Sequence, residues 1–229
     1  MTIVRKYKRF LQEFPPFSPT LSVDENPALD NVHWLLGGKD GASWQDVKTL
    51  NGRLQAVASS SGFNDCIGVY RPRVLVPNKI QVDFTFYKPA GYSPANTHEC
   101  EVLVFFTISN GVAKGYEFDF PYSSDFQPIR WNGASGDFNT TAVTTSTGAV
   151  FTPNDGDRVR VLADGTGSSP VFTVSRDTGS GLVQAWTGTD TTGGKILSGL
   201  GGGAGFFGRP DATLDLTKYC CSALTVNNA

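Results

Sequence analysis

The stretch Lys79–Phe120 leaves this chain few folds to adopt. It reads KIQVDFTFYK, a turn around PAGYSPAN, HECEVLVFFTI, a second turn at SNG, and AKGYEFDF. Apolar and polar residues alternate with a period of two, the repeat of a strand with one buried face. In the first segment Ile80, Val82, Phe84 and Phe86 share one face, and Gln81, Asp83, Thr85 and Tyr87 share the other. In the second, Val102, Val104 and Phe106 oppose Glu99, Glu101 and Leu103. In the third, Tyr116, Phe118 and Phe120 oppose Glu117 and Asp119. Three such strands predict an antiparallel sheet with one face in a core and one left for solvent or a ligand. Chemistry is expected on that polar face or in the loops at the strand ends.

The rest of the chain repeats the theme. Strands are predicted at 53–58, 66–70, before Val76, at 127–131 and over GDRVRVLADG, followed by a hairpin around Asp177–Gly181 and a closing strand in TLDLTKYCCSALTV. Val159 and Val161 point inward, and Arg158 and Arg160 outward. About twelve to fourteen strands and no helix fit a two-sheet antiparallel jelly-roll β-sandwich better than an immunoglobulin-type count. The 26 Gly and 16 Phe in 229 residues suit aromatic strands joined by tight turns. The glycine run Gly201–Gly205 lacks a following Lys-Ser/Thr and a helix, so it reads as tight turning of the chain and not as a phosphate loop.

Residues 1–33 differ. PPFSPTLSVDENP cannot continue a helix or a strand. They form an extended arm with apolar anchors Phe10, Leu11, Phe14 and Phe17, ahead of one domain over residues 34–229. The basic group Arg5, Lys6, Lys8 and Arg9 is too short to indicate nucleic acid. A net charge of -2 gives no drive toward nucleic acid or a membrane surface. No apolar run is long enough to span a bilayer, and no secretory signal follows Met1. Four cysteines are too few for a disulfide scaffold and read as reduced, and two histidines without CxxC argue against zinc.

The order GDRVRVLADG, PVFTVSRDTGSGLVQAW, GGGAGFFGRP and LDLTKYCCSALTV resembles the concanavalin A-like lectin/glucanase superfamily, especially its laminin-G-like branch. The resemblance covers about residues 34–226. It implies a jelly roll with one concave and one convex sheet, and a family that includes lectins, glycoside hydrolases, polysaccharide lyases and modules on viral and cell surfaces. Glucanase members look like E-x-D-x-E on one strand. Here the stretch is Glu99-Cys100-Glu101-Val102-Leu103, with Leu103 in place of the third carboxylate. The bland reading makes Glu99 and Glu101 surface residues paired with Arg158 or Arg160; the catalytic one makes them acid and nucleophile, since glycosidic hydrolysis needs two flanking carboxyl groups. A lyase would draw on Tyr87, Tyr116, His98 and Arg71, which no spacing marks.

A lectin needs aromatic platforms beside polar groups. Trp131 with Arg130 and Asn132 in the IRWNG stretch is the first candidate, followed by Tyr122 and Trp186. Related modules often hold calcium, and Asp65, Asp125, Asp137 and Asp215 fall in or near loops. No EF-type spacing is present, so no metal or cofactor is expected. The expectation is a non-catalytic binding module of a larger assembly, an oligomer at the surface of a bacterial virus particle, with the arm on a neighbouring subunit and the sandwich facing glycan. The alternative is a polysaccharide-cleaving enzyme.

Overall fold

The computed structural model describes residues 18–19, 21–25, 34–39, 44–57, 65–70, 78–95, 97–133, 137–199, 201–209, 214–227 and 229. Among them the chain is all-β, and no helix is long and apolar enough to cross a membrane. The strands are β1 (Trp34–Leu36), β2 (Gln45–Leu50), β3 (Arg53–Ala56), β4 (Cys66–Tyr70), β5 (Lys79–Tyr87), β6 (His98–Ser109), β7 (Val112–Pro121), β8 (Gln127–Trp131), β9 (Phe138–Asn139), β10 (Val143–Gly148), β11 (Arg158–Asp164), β12 (Val171–Asp177), β13 (Val183–Asp190), β14 (Gly201–Gly208) and β15 (Cys220–Asn227).

One layer has the order β10-β13-β12-β11-β5-β15-β3, and the other β4-β14-β6-β7-β8-β9 with β1 beside β4. Strand β2 joins them. Gln45 and Asp46 run parallel to Cys66 and Ile67, while Val47–Leu50 run antiparallel to β3. The predicted strands at 53–58, 66–70, 127–131 and the hairpin near 177–181 are present; the segment before Val76 lies outside the described residues.

The inward faces meet in an aromatic core. Phe86 lies 5.3 Å from Phe120, Tyr116 4.5 Å from Phe172, and Phe118 5.5 Å from Phe172, each pair crossing between layers. Burying each such ring contributes roughly 1.5–3 kcal/mol toward holding the layers together. Trp186 belongs here: it is 4% exposed, with Phe118 and Phe126 edge-on to its ring at 6.0 and 5.5 Å. Its expected role as a ligand platform is therefore corrected, because its apolar area is spent on the core.

Two expectations from alternation also change. Phe106 does not share a face with Val102 and Val104. A bulge between Val104 and Thr107 puts Phe105 at φ 50°, so Phe105 enters the inter-layer core and Phe106 turns outward beside Leu103. The glycine run does not turn the chain: Gly201–Gly208 is strand β14 itself. A Cβ at Gly203 would sit 1.9 Å from the Gly68 carbonyl oxygen, so close strand approach is what requires glycine there.

The anchors Phe10, Leu11, Phe14 and Phe17 lie outside the described residues. The end of the arm lies on the sandwich. Leu21 is buried in the core, Glu25 bridges to Thr49, and the Ser18 and Thr225 hydroxyls are 2.7 Å apart. All four cysteines are free and buried.

Candidate functional site

The outward face of the β4-β14-β6-β7-β8-β9 layer holds a cleft of about 500 Å³. Register builds it row by row. Ile67, Gly205, Glu101, Asp119 and Gln127 form one row across five strands. Val69, Gly203, Leu103, Glu117 and Ile129 form the next. Phe207 lies opposite Glu99. Asp65 enters from the residue before β4, so five carboxyl groups line one cleft.

The bulge at Phe105 is what brings them together. The tight turn after Ser109 has Asn110 at φ 51° and Gly111 at φ 76°, the conformation that suits a two-residue hairpin. It pairs Ser109 with Val112, a frame that would carry Glu101 to Phe120. The extra residue shifts the frame by one, so Glu101 faces Asp119 and Leu103 faces Glu117. Polar residues on both strands then share the outward face. Gly205 leaves room beside them, since a Cβ there would lie 1.9 Å from Glu101 Oε2.

Glu101, Glu117 and Asp119 are 4%, 5% and 6% exposed. Burial raises the Asp65 carboxyl to about 6. Burial, then the charge of Asp65, raises Glu99 to about 7, with Arg209 opposing. Burial raises Glu117 to about 8 against the pull of its hydrogen bond from Trp131. Burial and the neighbouring carboxylates push Glu101 and Asp119 well above the usual carboxylate range. At neutral pH the cleft thus mixes carboxylic acids, which donate and accept, with carboxylates, which only accept.

The apolar wall is Trp131 and Phe138, with ring centroids 5.2 Å apart. The Trp131 indole N–H donates to Glu117 Oε2 at 2.6 Å, and Trp44 packs edge-on at 4.7 Å. Trp131 is 8% exposed, whereas Phe138 is 48% exposed and presents the open aromatic surface.

The residues singled out by sequence scatter. Arg130 points away from Trp131, as strand alternation demands: its guanidinium donates to Asp190 Oδ2 at 2.7 Å and to Thr192, and its Nε donates to Asn132 Oδ1 at 2.9 Å. Asn132 also reaches Asp137 Oδ1 at 3.4 Å. Arg130 and Asn132 therefore clamp an edge of the sandwich and do not flank Trp131 in a sugar site. Tyr122 is elsewhere, its hydroxyl donating to the Tyr92 carbonyl and Lys88 Nζ 4.3 Å from its ring centre. Arg158 and Arg160 pair with Asp177 and Asp83 and not with Glu99 or Glu101.

The lyase set does not converge. Tyr116 donates to buried Asp190 at 2.8 Å, Tyr87 lies under Arg53, and His98 Nδ1 bonds the Tyr92 hydroxyl at 2.8 Å. Arg71 lies outside the described residues. The four aspartates considered for calcium are apart: Asp125 accepts from Thr152, Asp137 faces Asn132, Asp215 caps Thr217, and Asp65 lines the cleft. Among the described residues no three His, Cys, Asp or Glu side chains are arranged to hold a metal ion. Sequence reasoning missed Glu117, Asp119 and Phe138 as site residues. The outward faces of β6 and β7 were legible, but their register was not.

No protein-family model matches the chain, and no curated protein does. Solved structures do. The Emp46p carbohydrate recognition domain in its metal-free form superposes with a TM-score of 0.53 at 12% identity, over 93% of this chain and 96% of that one. A seed lectin of Lotus tetragonolobus gives 0.50 at 11%, over 92% and 97%. At these identities the likeness is one of fold, and the chain is a concanavalin A-like jelly-roll sandwich.

Proposed function

We propose that this chain is a non-catalytic carbohydrate-binding module whose ligand site is the carboxyl-lined cleft on the outer face of β6, β7 and β8. One observation carries the reading. Buried carboxyl groups, Glu101 beside Asp119, and an exposed aromatic ring, Phe138, line a single cleft. Sugar hydroxyls need acceptors at fixed spacing, and sugar rings need a flat apolar surface; the cleft offers both. The names of two fold neighbours, a carbohydrate recognition domain and a seed lectin, direct the choice of ligand class.

The test is titration of an oligosaccharide panel followed by tryptophan fluorescence, since Trp131 lines the cleft. Binding by at least one oligosaccharide, weakened about tenfold or more by Phe138→Ala, is expected. Binding that survives Phe138→Ala and Glu101→Gln unchanged would place the site elsewhere.

A second reading, glycoside hydrolysis, is favoured by one register pair. Leu103 interrupts the glucanase-like pattern, but Glu117 stands opposite Leu103 on β7, so a third carboxyl group enters from the adjacent strand. Hydrolysis needs one acid kept protonated near neutral pH and one ionised partner, and Glu117 at about 8 has the first property. Reducing-end release that Glu101→Gln abolishes would move the assignment to enzyme; no release across the panel removes that reading.

The setting we propose is an oligomeric assembly, as on the surface of a virus particle, with residues 1–17 as the attachment segment. The buried position of Leu21 argues for leaving residues from Ser18 onward attached when this is tested. Light scattering should then give an oligomer for the full chain and a monomer for a chain lacking residues 1–17. Two identical monomers would remove the assembly reading.

A further inference from the structure

Charge in the cleft is one-sided. Among the described residues lining it there are five carboxyl groups and one cationic side chain, Arg209. Arg209 acts on Glu99. A second, independent observation concerns a single atom. Asp119 is 6% exposed, it lines the cleft, and its Oδ1 has no hydrogen-bond partner among the described residues. A buried polar atom without a partner is costly, and such atoms in native proteins mark a group that something else completes.

A strongly hydrated anion would meet like charge on entering this space. A neutral hydroxyl would satisfy Asp119 but supply no charge to favour ionisation of the neighbouring carboxyls. An ammonium group supplies three donors and a positive charge at once. Glu101 and Asp119 are directly opposed across β6 and β7, so their side chains start about 5 Å apart and both reach one cation between them. Phe138 lies further along the cleft, beside Trp131, which is four residues along β8 from Gln127, so its ring serves a neighbouring sugar of the same oligomer.

We infer that the cleft selects a ligand bearing a protonated amine, and that among carbohydrates it takes amino sugars with the amine free over their N-acetylated, neutral or uronic-acid counterparts. This rests on the reading of the cleft as the carbohydrate site. Asp119 and Glu101 receive the ammonium, and the oligomer runs on along the cleft toward Trp131 and Phe138.

Calorimetric titration with oligomers of equal length separates the outcomes. The probes are oligomers of glucosamine, N-acetylglucosamine, glucose and galacturonic acid, titrated at neutral pH, where the cleft holds carboxylates beside its protonated carboxyls and a glucosamine oligomer still carries ammonium groups. The glucosamine oligomer should bind at least about tenfold more tightly than the N-acetylated one, and the uronate oligomer should not bind. Asp119→Asn, which keeps the shape and prevents ionisation, should abolish that preference, weakening the glucosamine oligomer by at least about tenfold more than it weakens the glucose oligomer. Glu99→Gln, nearer the rim, should reduce the preference by a smaller factor and serves if Asp119→Asn fails to fold. Equal or tighter binding of the N-acetylated or glucose oligomer overturns the inference and leaves the cleft as a carbohydrate site. Absence of binding by all four overturns both.

Discussion

Replacing Glu117 by Gln should make this protein more stable near pH 8 and change little near pH 4.5. Glu117 is buried opposite Leu103, with its carboxyl raised to about 8 from an ordinary 4.5, chiefly by burial and then by the charges of Glu99 and Asp65. Between those two values the unfolded chain has lost the proton and the folded chain still holds it. Stability is therefore full below the unfolded value and falls as pH rises toward the folded one, by at most about 1.4 kcal/mol for each pH unit. A shift from 4.5 to about 8 sets a ceiling of about 5 kcal/mol. Glu99, Glu101, Asp119 and Asp65 share the same field, and the cleft is open to water, so a gain of about 2 kcal/mol for the variant near pH 8 is the working figure. The amide of the Glu117→Gln variant keeps an oxygen for the Trp131 indole N–H, so packing is preserved. The assay is urea unfolding of both proteins at both pH values, followed by fluorescence and circular dichroism. A wild-type stability that is flat between them, or a variant no more stable near pH 8, would refute the electrostatic reasoning.

Three further changes probe the frame around the cleft. Asp190→Ala removes the acceptor of Arg130 and of the Tyr116 hydroxyl, stranding a guanidinium whose side chain is 7% exposed; a loss of about 3–5 kcal/mol in denaturant unfolding is expected. Gly203→Ala places a methyl group against the Gly68 carbonyl oxygen, which must move the β4–β14 pair apart, and about 1–3 kcal/mol or more should be lost in the same assay. The thiols of Cys66 and Cys220 are pushed up to about 12, and those of Cys100 and Cys221 are raised as well, all four mainly by burial; a thiol reagent should react slowly with the folded protein and count four thiols once it is unfolded.

The sandwich was legible because its signal is local. Ile80, Val82, Phe84 and Phe86 alternate without interruption, and the structure buries all four. The face of Phe106 was not legible, because one extra residue reverses alternation and nothing in VLVFFTI marks where it enters. The same residue hid the site. Glu99 and Glu101 stood on one strand and Glu117 and Asp119 on the next, each visibly outward, yet the frame set by the Asn110-Gly111 turn does not place them side by side. Only the bulge does. Trp131, Arg130 and Asn132 were adjacent in sequence, and adjacency on a strand sends neighbours to opposite faces. Phe138 gave a faint signal as an aromatic residue in a polar loop, and became meaningful only through its pairing with Trp131.

The central claim is that the outer face of β6, β7 and β8 is the ligand surface, and the most direct measurement is where a bound oligosaccharide perturbs the protein. Backbone amide chemical shifts of the labelled chain, followed through a glucosamine-oligomer titration, report this residue by residue. Shifts concentrated at Glu101, Asp119, Gln127 and Phe138, with the outer face of β5 and β11 unmoved, are the expected result. Shifts confined to β5 and β11 or to the edge held by Arg130 and Asp190, with the cleft silent, would contradict it.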